Sequence, residues 1–265
     1  MLPIFNALRA SPWLQGQPSW KNRRYPEVGH LVSPFQLAHV WLPLLGFIAL
    51  SALLMALHGD QWLADRVYAW EGHRWSLQDD YVVQTVLHAD ARAASKMAWW
   101  GMLMLWAGAC LAPPRRALRR PLLYLLLSTL ISTAVVASMK RWTHMDCPWD
   151  LIGYGGHKAY YGLFSARPAS LPSSNCFPAG HASAGYAWVA LYFFFRRVKP
   201  GLRWWGLAAG LTLGLVFGVD QQLRGAHFMS HDLWSLMACW VVALLLNHAM
   251  LRAPAPPHAA REQAA

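Results

Sequence analysis

Pro121-Leu122-Leu123-Tyr124-Leu125-Leu126-Leu127-Ser128-Thr129-Leu130-Ile131-Ser132-Thr133-Ala134-Val135-Val136-Ala137-Ser138-Met139 is a charge-free run. Arg115, Arg116, Arg119 and Arg120 precede it, and Lys140 and Arg141 follow it. A membrane-spanning helix needs about 20 mostly apolar residues, so this stretch reads as one span with basic flanks. Five more segments repeat the pattern. Val40 to Leu57 is interrupted only by Pro43, Gly46 and Ser51. Ala93 to Ala112 carries one charge, Lys96, near its start. Pro178 to Phe195 holds only His181, Trp204 to Val219 is uncharged, and Leu233 to Leu251 holds only His248.

Composition agrees. Of 265 residues, 56% are hydrophobic and 13% charged, against about 25% charged in a soluble domain. That excludes an ordinary soluble enzyme and a disordered chain. The expected architecture is all-α: a polytopic membrane protein with six transmembrane helices over residues 34–252. Residues 1–33 form a polar, basic N-terminal tail without the apolar core of a secretory signal. Residues 253–265, rich in Ala and Pro, form a tail expected to be disordered.

Six spans place both termini on one side, and the positive-inside rule chooses the cytoplasm. The inner segments then hold fourteen basic residues, among them the Arg115–Arg120 and Arg196–Arg203 clusters, against Glu27 and Glu262. The outer side keeps nine basic and ten acidic residues, so the net charges are +12 inside and −1 outside. The formal +11 is thus a topology signal, split into short juxtamembrane clusters, and nucleic acid is excluded as a partner.

The outer loops differ in length. Gly59 to Arg92 holds Trp62, Tyr68, Trp70 and Trp75, and Asp60 to Trp70 has helical spacing. An interfacial aromatic belt is one reading, and a lid is the other. In the fifth span Gly206, Gly210, Gly214 and Gly218 recur every four residues, a smooth face for close helix approach. A neighbouring helix of the bundle is its expected partner; a homodimer is the alternative.

Reactive residues gather at the outer ends of the spans. Lys140 and Arg141 end the third, His181 begins the fourth, Arg224 and His227 follow the fifth, and His231 and Asp232 open the sixth. In Pro178-Ala179-Gly180-His181, Gly at a helix start lets backbone N–H groups approach an anion, and His can protonate a leaving oxygen. Pro–Gly turns also enter helices without any such function. In Arg224-Gly225-Ala226-His227-Phe228-Met229-Ser230-His231-Asp232, an Arg and a His lie one turn apart. They could hold and attack a phosphoryl group. Ser230 is placed to cap the sixth helix. His227 and His231, four apart, also suit two metal ligands.

The pattern resembles the type 2 phosphatidic acid phosphatase (PAP2) superfamily of membrane phosphatases, with its motifs Lys-x6-Arg-Pro, Pro-Ser-Gly-His and Ser-Arg-x5-His-x3-Asp. Lys140-x6-Cys147-Pro148, Pro178-Ala179-Gly180-His181 and the stretch around His227 follow it in order over roughly residues 121–250. Cys147-Pro148-Trp149-Asp150-Leu151 looks like a divergent bacterial branch. The resemblance implies a lipid phosphate or pyrophosphate substrate, no cofactor and no metal. It implies an active site facing the periplasm from the inner membrane. It implies that His227 is the nucleophile forming a phosphohistidine and that His181 is the general acid, then base. Lys140 and the Gly180 N–H would hold the phosphoryl oxygens.

Four motif positions depart from the pattern. Cys147 replaces Arg, Ala179 replaces Ser, Gln221 replaces Arg and His231 replaces Asp. Arg141 or Arg167 could stand in for the first, Arg224 for the third, and Asp232 could orient the nucleophile in place of His231. Cys147 and Cys176 could pair in an oxidising compartment. Burial within the spans is the reading for Cys110 and Cys239. Two competing readings stay open. One is a metal-dependent hydrolase using His227, His231, Asp232 and His144; the other is a non-catalytic lipid-phosphate binder or transporter.

Overall fold

The computed structural model describes residues 32–81, 91–168, 170–172 and 174–251. Apart from Val32 and Ser33, both tails expected from the sequence lie outside these residues. Among the described residues every regular element is helical, and one β-bridge joins Leu151 to Lys158.

The chain divides into two units after Leu42. In the first, Ser33 opens a helix through a capping box. Gln36 N–H donates to Ser33 Oγ at 3.2 Å, and Ser33 N–H donates to Gln36 Oε1 at 2.9 Å. Each side chain satisfies a backbone donor that the helix start leaves over.

In chain order the helices are α1 (Pro34–Ala56), α2 (Gly59–Trp70), α3 (Ala91–Leu111), α4 (Arg116–Thr143), α5 (Gly180–Tyr186), α6 (Leu191–Val198), α7 (Arg203–Leu223) and α8 (Met229–Leu246). Four stretches are long and apolar enough to cross a membrane: Pro34–Ala56, Pro113–Asp150, Pro200–Leu223 and Met229–Leu251. They coincide with the first, third, fifth and sixth expected spans. The second and fourth are helical where expected. The fourth is divided, with the 3-10 turn Ala187–Ala190 joining α5 to α6.

The glycine face of α7 accounts for the packing of the second unit. A Cβ on Gly210 would come within 2.4 Å of Val189 N, and one on Gly185 within 2.5 Å of Gly214 N. Backbones therefore touch directly between α7 and the α5–α6 run, and this chain itself fills the glycine face. Tyr186, Val189 and Cys239 form a fully buried apolar cluster beside it. The Tyr124 hydroxyl, from α4, donates to the Ala243 carbonyl of α8 at 3.1 Å. A buried phenol needs such a partner. Cys110 is exposed on α3 while Cys239 is buried, so burial accounts for only one of the two cysteines expected inside spans.

Candidate active site

The ends of α4, α5, α7 and α8 bring the expected site residues together. α5 starts at Gly180, and its N-cap residue Ala179 makes no side-chain cap bond. The backbone of Ala179 is instead locked to α8. Its N–H donates to the His231 carbonyl at 3.1 Å, and its carbonyl accepts from the Ser235 hydroxyl at 2.8 Å. The second motif is thereby fixed against the third. Lys140 closes the third side: a Cβ on Gly180 would stand 3.6 Å from Lys140 Nζ.

His227 lies in the turn between α7 and α8. The Gln221 carbonyl accepts from the N–H of Ala226 at 2.9 Å and shapes that turn. Gly225 sits at φ +69, and a Cβ there would strike the Trp75 ring at 2.4 Å. The position thus needs glycine both for its backbone and for the indole laid on it. His227 Nδ1 stands 3.2 Å from His231 Nδ1. Burial holds the His227 imidazole well below its usual value, and the charges of His231, Lys140 and His181 push the same way. The backbone of Cys176 opposes them as a hydrogen-bond partner.

Asp232 is turned away from His227. Its carboxylate accepts from Gln222 Nε2 and lies so close to Gly218 that a Cβ there would come within 2.3 Å of Oδ2. The carboxylate and the His227–His231 pair point different ways. His144, the other metal ligand considered, ends α4 on the surface in a left-handed turn. Among the described residues no three His, Cys, Asp or Glu side chains converge as a metal site would need.

The candidate arginines separate. Arg167 is held in the loop: it pairs with Asp146, and it donates to the His144 carbonyl at 3.1 Å and the Pro172 carbonyl at 2.8 Å. Lys158 joins Asp146 from the other side at 2.9 Å. Arg141 is exposed. Arg224 is buried at the end of α7, with Nε donating to the Gln78 carbonyl at 3.1 Å. Gln221 is buried too, its amide donating to Asp220 at 2.6 Å. Cys147 and Cys176 are joined by a disulfide, with Cα atoms 5.3 Å apart. It binds the first-motif loop to the strand of chain entering the second. Closing a loop of this length is worth about 3–4 kcal/mol in the chain-entropy account.

A cavity of about 680 Å3 lies beside this cluster, between α3, α4 and α5. Lys140, Gly180 and His181 line one end, and Leu130, Trp99 and Trp188 line the part further along the helices.

A sequence profile of the PAP2 superfamily matches residues 121–254, half of the chain and all three motif regions. The chain belongs to the PAP2 superfamily. No curated protein and no solved structure matches it. Membership assigns phosphatase chemistry to a membrane protein whose apolar helices are described above. The match begins at Pro121, so α1, α2 and α3 lie outside it.

This PAP2 protein has site residues that motif reading missed. Asp60, at the start of α2, is buried and accepts from the Ser230 N–H at 2.9 Å. It caps α8 from a distant element. Ser230, expected as the cap, lies inside the first turn, and Phe228 holds the N-cap position with no side-chain bond of its own. Burial pushes the Asp60 carboxyl up to about 6. Tyr68 and Trp75 pack with Tyr154 and Phe228 over the same turn, whereas Trp62 and Trp70 are exposed. The aromatic residues of this segment therefore divide: Tyr68 and Trp75 pack against the third-motif turn, and Trp62 and Trp70 are exposed. The signal for Asp60 was a lone carboxylate immediately after an apolar span, which sequence alone does not connect to α8.

Proposed function

We propose that this protein is an integral membrane phosphatase that cleaves a lipid phosphate or pyrophosphate through a phosphohistidine on His227. His227 Nδ1–H donates to His231 Nδ1, which leaves the Nε2 lone pair to attack phosphorus. The P–O bond to the leaving group breaks, and His181 gives that oxygen its proton. His181 then draws a proton from water as the water attacks the phosphohistidine, releasing phosphate. Lys140 and the Gly180 N–H hold the phosphoryl oxygens, with Arg224 as the further cation. His231 orients the nucleophile in the place the family gives to a carboxylate. Asp232, facing Gln222, does not share that role. Arg167 serves the loop through Asp146, and Arg141 lies on the surface.

The observation that carries this reading is the meeting of Lys140, Gly180 and His181 on the wall of one cavity that continues along α4 as far as Thr129 and Leu130. A phosphate head at the Lys140 end and a lipid tail along the rest fit that lining. In this reading six helices cross a bacterial inner membrane, both termini are cytoplasmic, and the site faces the periplasm. The charge split of +12 against −1 supports the orientation. A cysteine introduced between Gly153 and Gly162 should be labelled from outside the cell; labelling only from the cytoplasm contradicts it. The functional test is phosphate release by purified protein from a panel of lipid phosphates, with and without EDTA. Release that survives EDTA is expected. No release from any of them favours the non-catalytic binder on the same fold, and release abolished by EDTA favours the metal-dependent hydrolase.

A further inference from the structure

Lys96 is the one charge in the apolar part of α3, and it lines the same cavity as Lys140, Gly180 and His181. Charged residues inside membrane helices are costly and mark functional sites or paths. The position of Lys96 relative to the phosphate cradle follows from its neighbour. The Ser95 hydroxyl donates to the Ala184 carbonyl at 2.9 Å and accepts from the Trp188 indole at 3.0 Å. Ala184 lies four residues into α5 from Gly180, about one helical turn, or 5.4 Å, inward. Ser95 is thereby pinned one turn or more on the tail side of the cradle, and Lys96 follows it in the chain. The four-carbon stem of lysine can cover a displacement of about one turn.

This placement separates two substrate classes. The phosphorus that reacts sits at Lys140, Gly180 and His227. Between it and the lipid tail lies the leaving group. In a lipid monophosphate that group is an alkoxide oxygen, which carries no charge before reaction. In a lipid diphosphate it is a second phosphate, anionic throughout. Lys96 is exposed to the cavity, and an ammonium reaching in from the tail side matches only the second.

Resting on the phosphatase reading above, we propose that Lys96 binds the leaving phosphate of a lipid diphosphate and makes this site prefer diphosphates over monophosphates. His227 attacks the terminal phosphorus, and the bond from that phosphorus to the bridging oxygen breaks. The electron pair stays on the bridging oxygen, so a lipid monophosphate leaves beside Lys96. Water then cleaves the phosphohistidine, and one water is consumed for each lipid monophosphate and inorganic phosphate formed. Trp99 and Trp188, further along the cavity, wall the path of the tail.

The test compares kcat/KM for a C15 isoprenyl diphosphate and the C15 isoprenyl monophosphate with the same tail, using the full chain in detergent or nanodiscs. The wild type should favour the diphosphate by about tenfold or more, the usual scale for a charge-assisted contact. Lys96→Gln should reduce that ratio about tenfold, and Lys96→Arg should keep most of it. A ratio unchanged in Lys96→Gln overturns the proposal, as does a wild type that prefers the monophosphate. A wild type that hydrolyses another lipid phosphate but neither of these overturns the proposal alone, and one that hydrolyses no lipid phosphate at all overturns the phosphatase reading itself. The two failures are thus distinguishable.

Discussion

The Nδ1 atoms of His227 and His231 stand 3.2 Å apart, and both rings are buried. One must donate and the other accept. If His227 donates, its Nε2 is left as the nucleophile, held by a neutral imidazole instead of a carboxylate. A neutral partner lends no charge to an imidazolium, and burial, with Lys140 and His181 pushing the same way, keeps His227 unprotonated well below its usual value. A nucleophile with a lowered pKa stays active as pH falls, until pH passes that pKa. The acid limb of kcat/KM should therefore lie on the acid side of that of an ordinary histidine. His231→Asp should raise the His227 pKa and move this limb up by about one unit or more. Substrate ionisation is common to both proteins and cancels in the difference. An unmoved limb contradicts the orienting role.

Arg224 and Gln221 make opposite predictions about the third-motif cation. Gln221 is already bonded to Asp220, and its backbone shapes the turn. Arg224→Ala should lower kcat/KM by about two orders of magnitude, as for loss of a transition-state charge partner. Arg224→Lys should recover part of that. Because Arg224 Nε also holds the Gln78 carbonyl, Arg224→Lys separates charge from anchoring: it restores charge without the fork. Gln221→Ala damaging activity as much as Arg224→Ala contradicts the assignment.

Asp60 ties α2 to the first turn of α8. Asp60→Ala removes the cap on the Ser230 N–H and should cost about 1–2 kcal/mol, visible as a lower Tm, together with lower turnover. Asp60→Asn keeps an acceptor. Its effect should depend on pH. The folded carboxyl sits near 6 against an ordinary 3.8, so ionisation works against the fold as pH rises through that window. Relative to wild type, Asp60→Asn should gain Tm between pH 4 and pH 7. A pH-independent difference contradicts the buried position of Asp60.

Periodicity and charge made much of this protein legible. The charge-free run from Pro121 became part of α4, and the glycines of α7 met backbone, because a span's apolar length and a small-residue face are local properties of the chain. The approach of His181, Lys140 and His227 was legible because Lys140 lies in the last turn of one helix, His181 in the first turn of another, and His227 in the turn between two more. Three features were not. Asp60 reaches α8 from 170 residues away in sequence, and no local pattern marks such a cap. Asp232 and His231 are adjacent, yet helical rotation sends one to Gln222 and the other to His227. Ser95, which fixes the height of Lys96, acts through a carbonyl on a helix 89 residues further on.

The central claim is a covalent phosphate on His227, and it can be read directly. Protein mixed with a lipid phosphate carrying labelled phosphorus and quenched rapidly should hold an acid-labile, alkali-stable label. His181→Ala slows the water attack, so with a substrate whose leaving group needs no proton it should hold more label. His227→Ala, folded by its circular dichroism and Tm, should hold none and release no phosphate. Label or turnover persisting in folded His227→Ala protein contradicts the account.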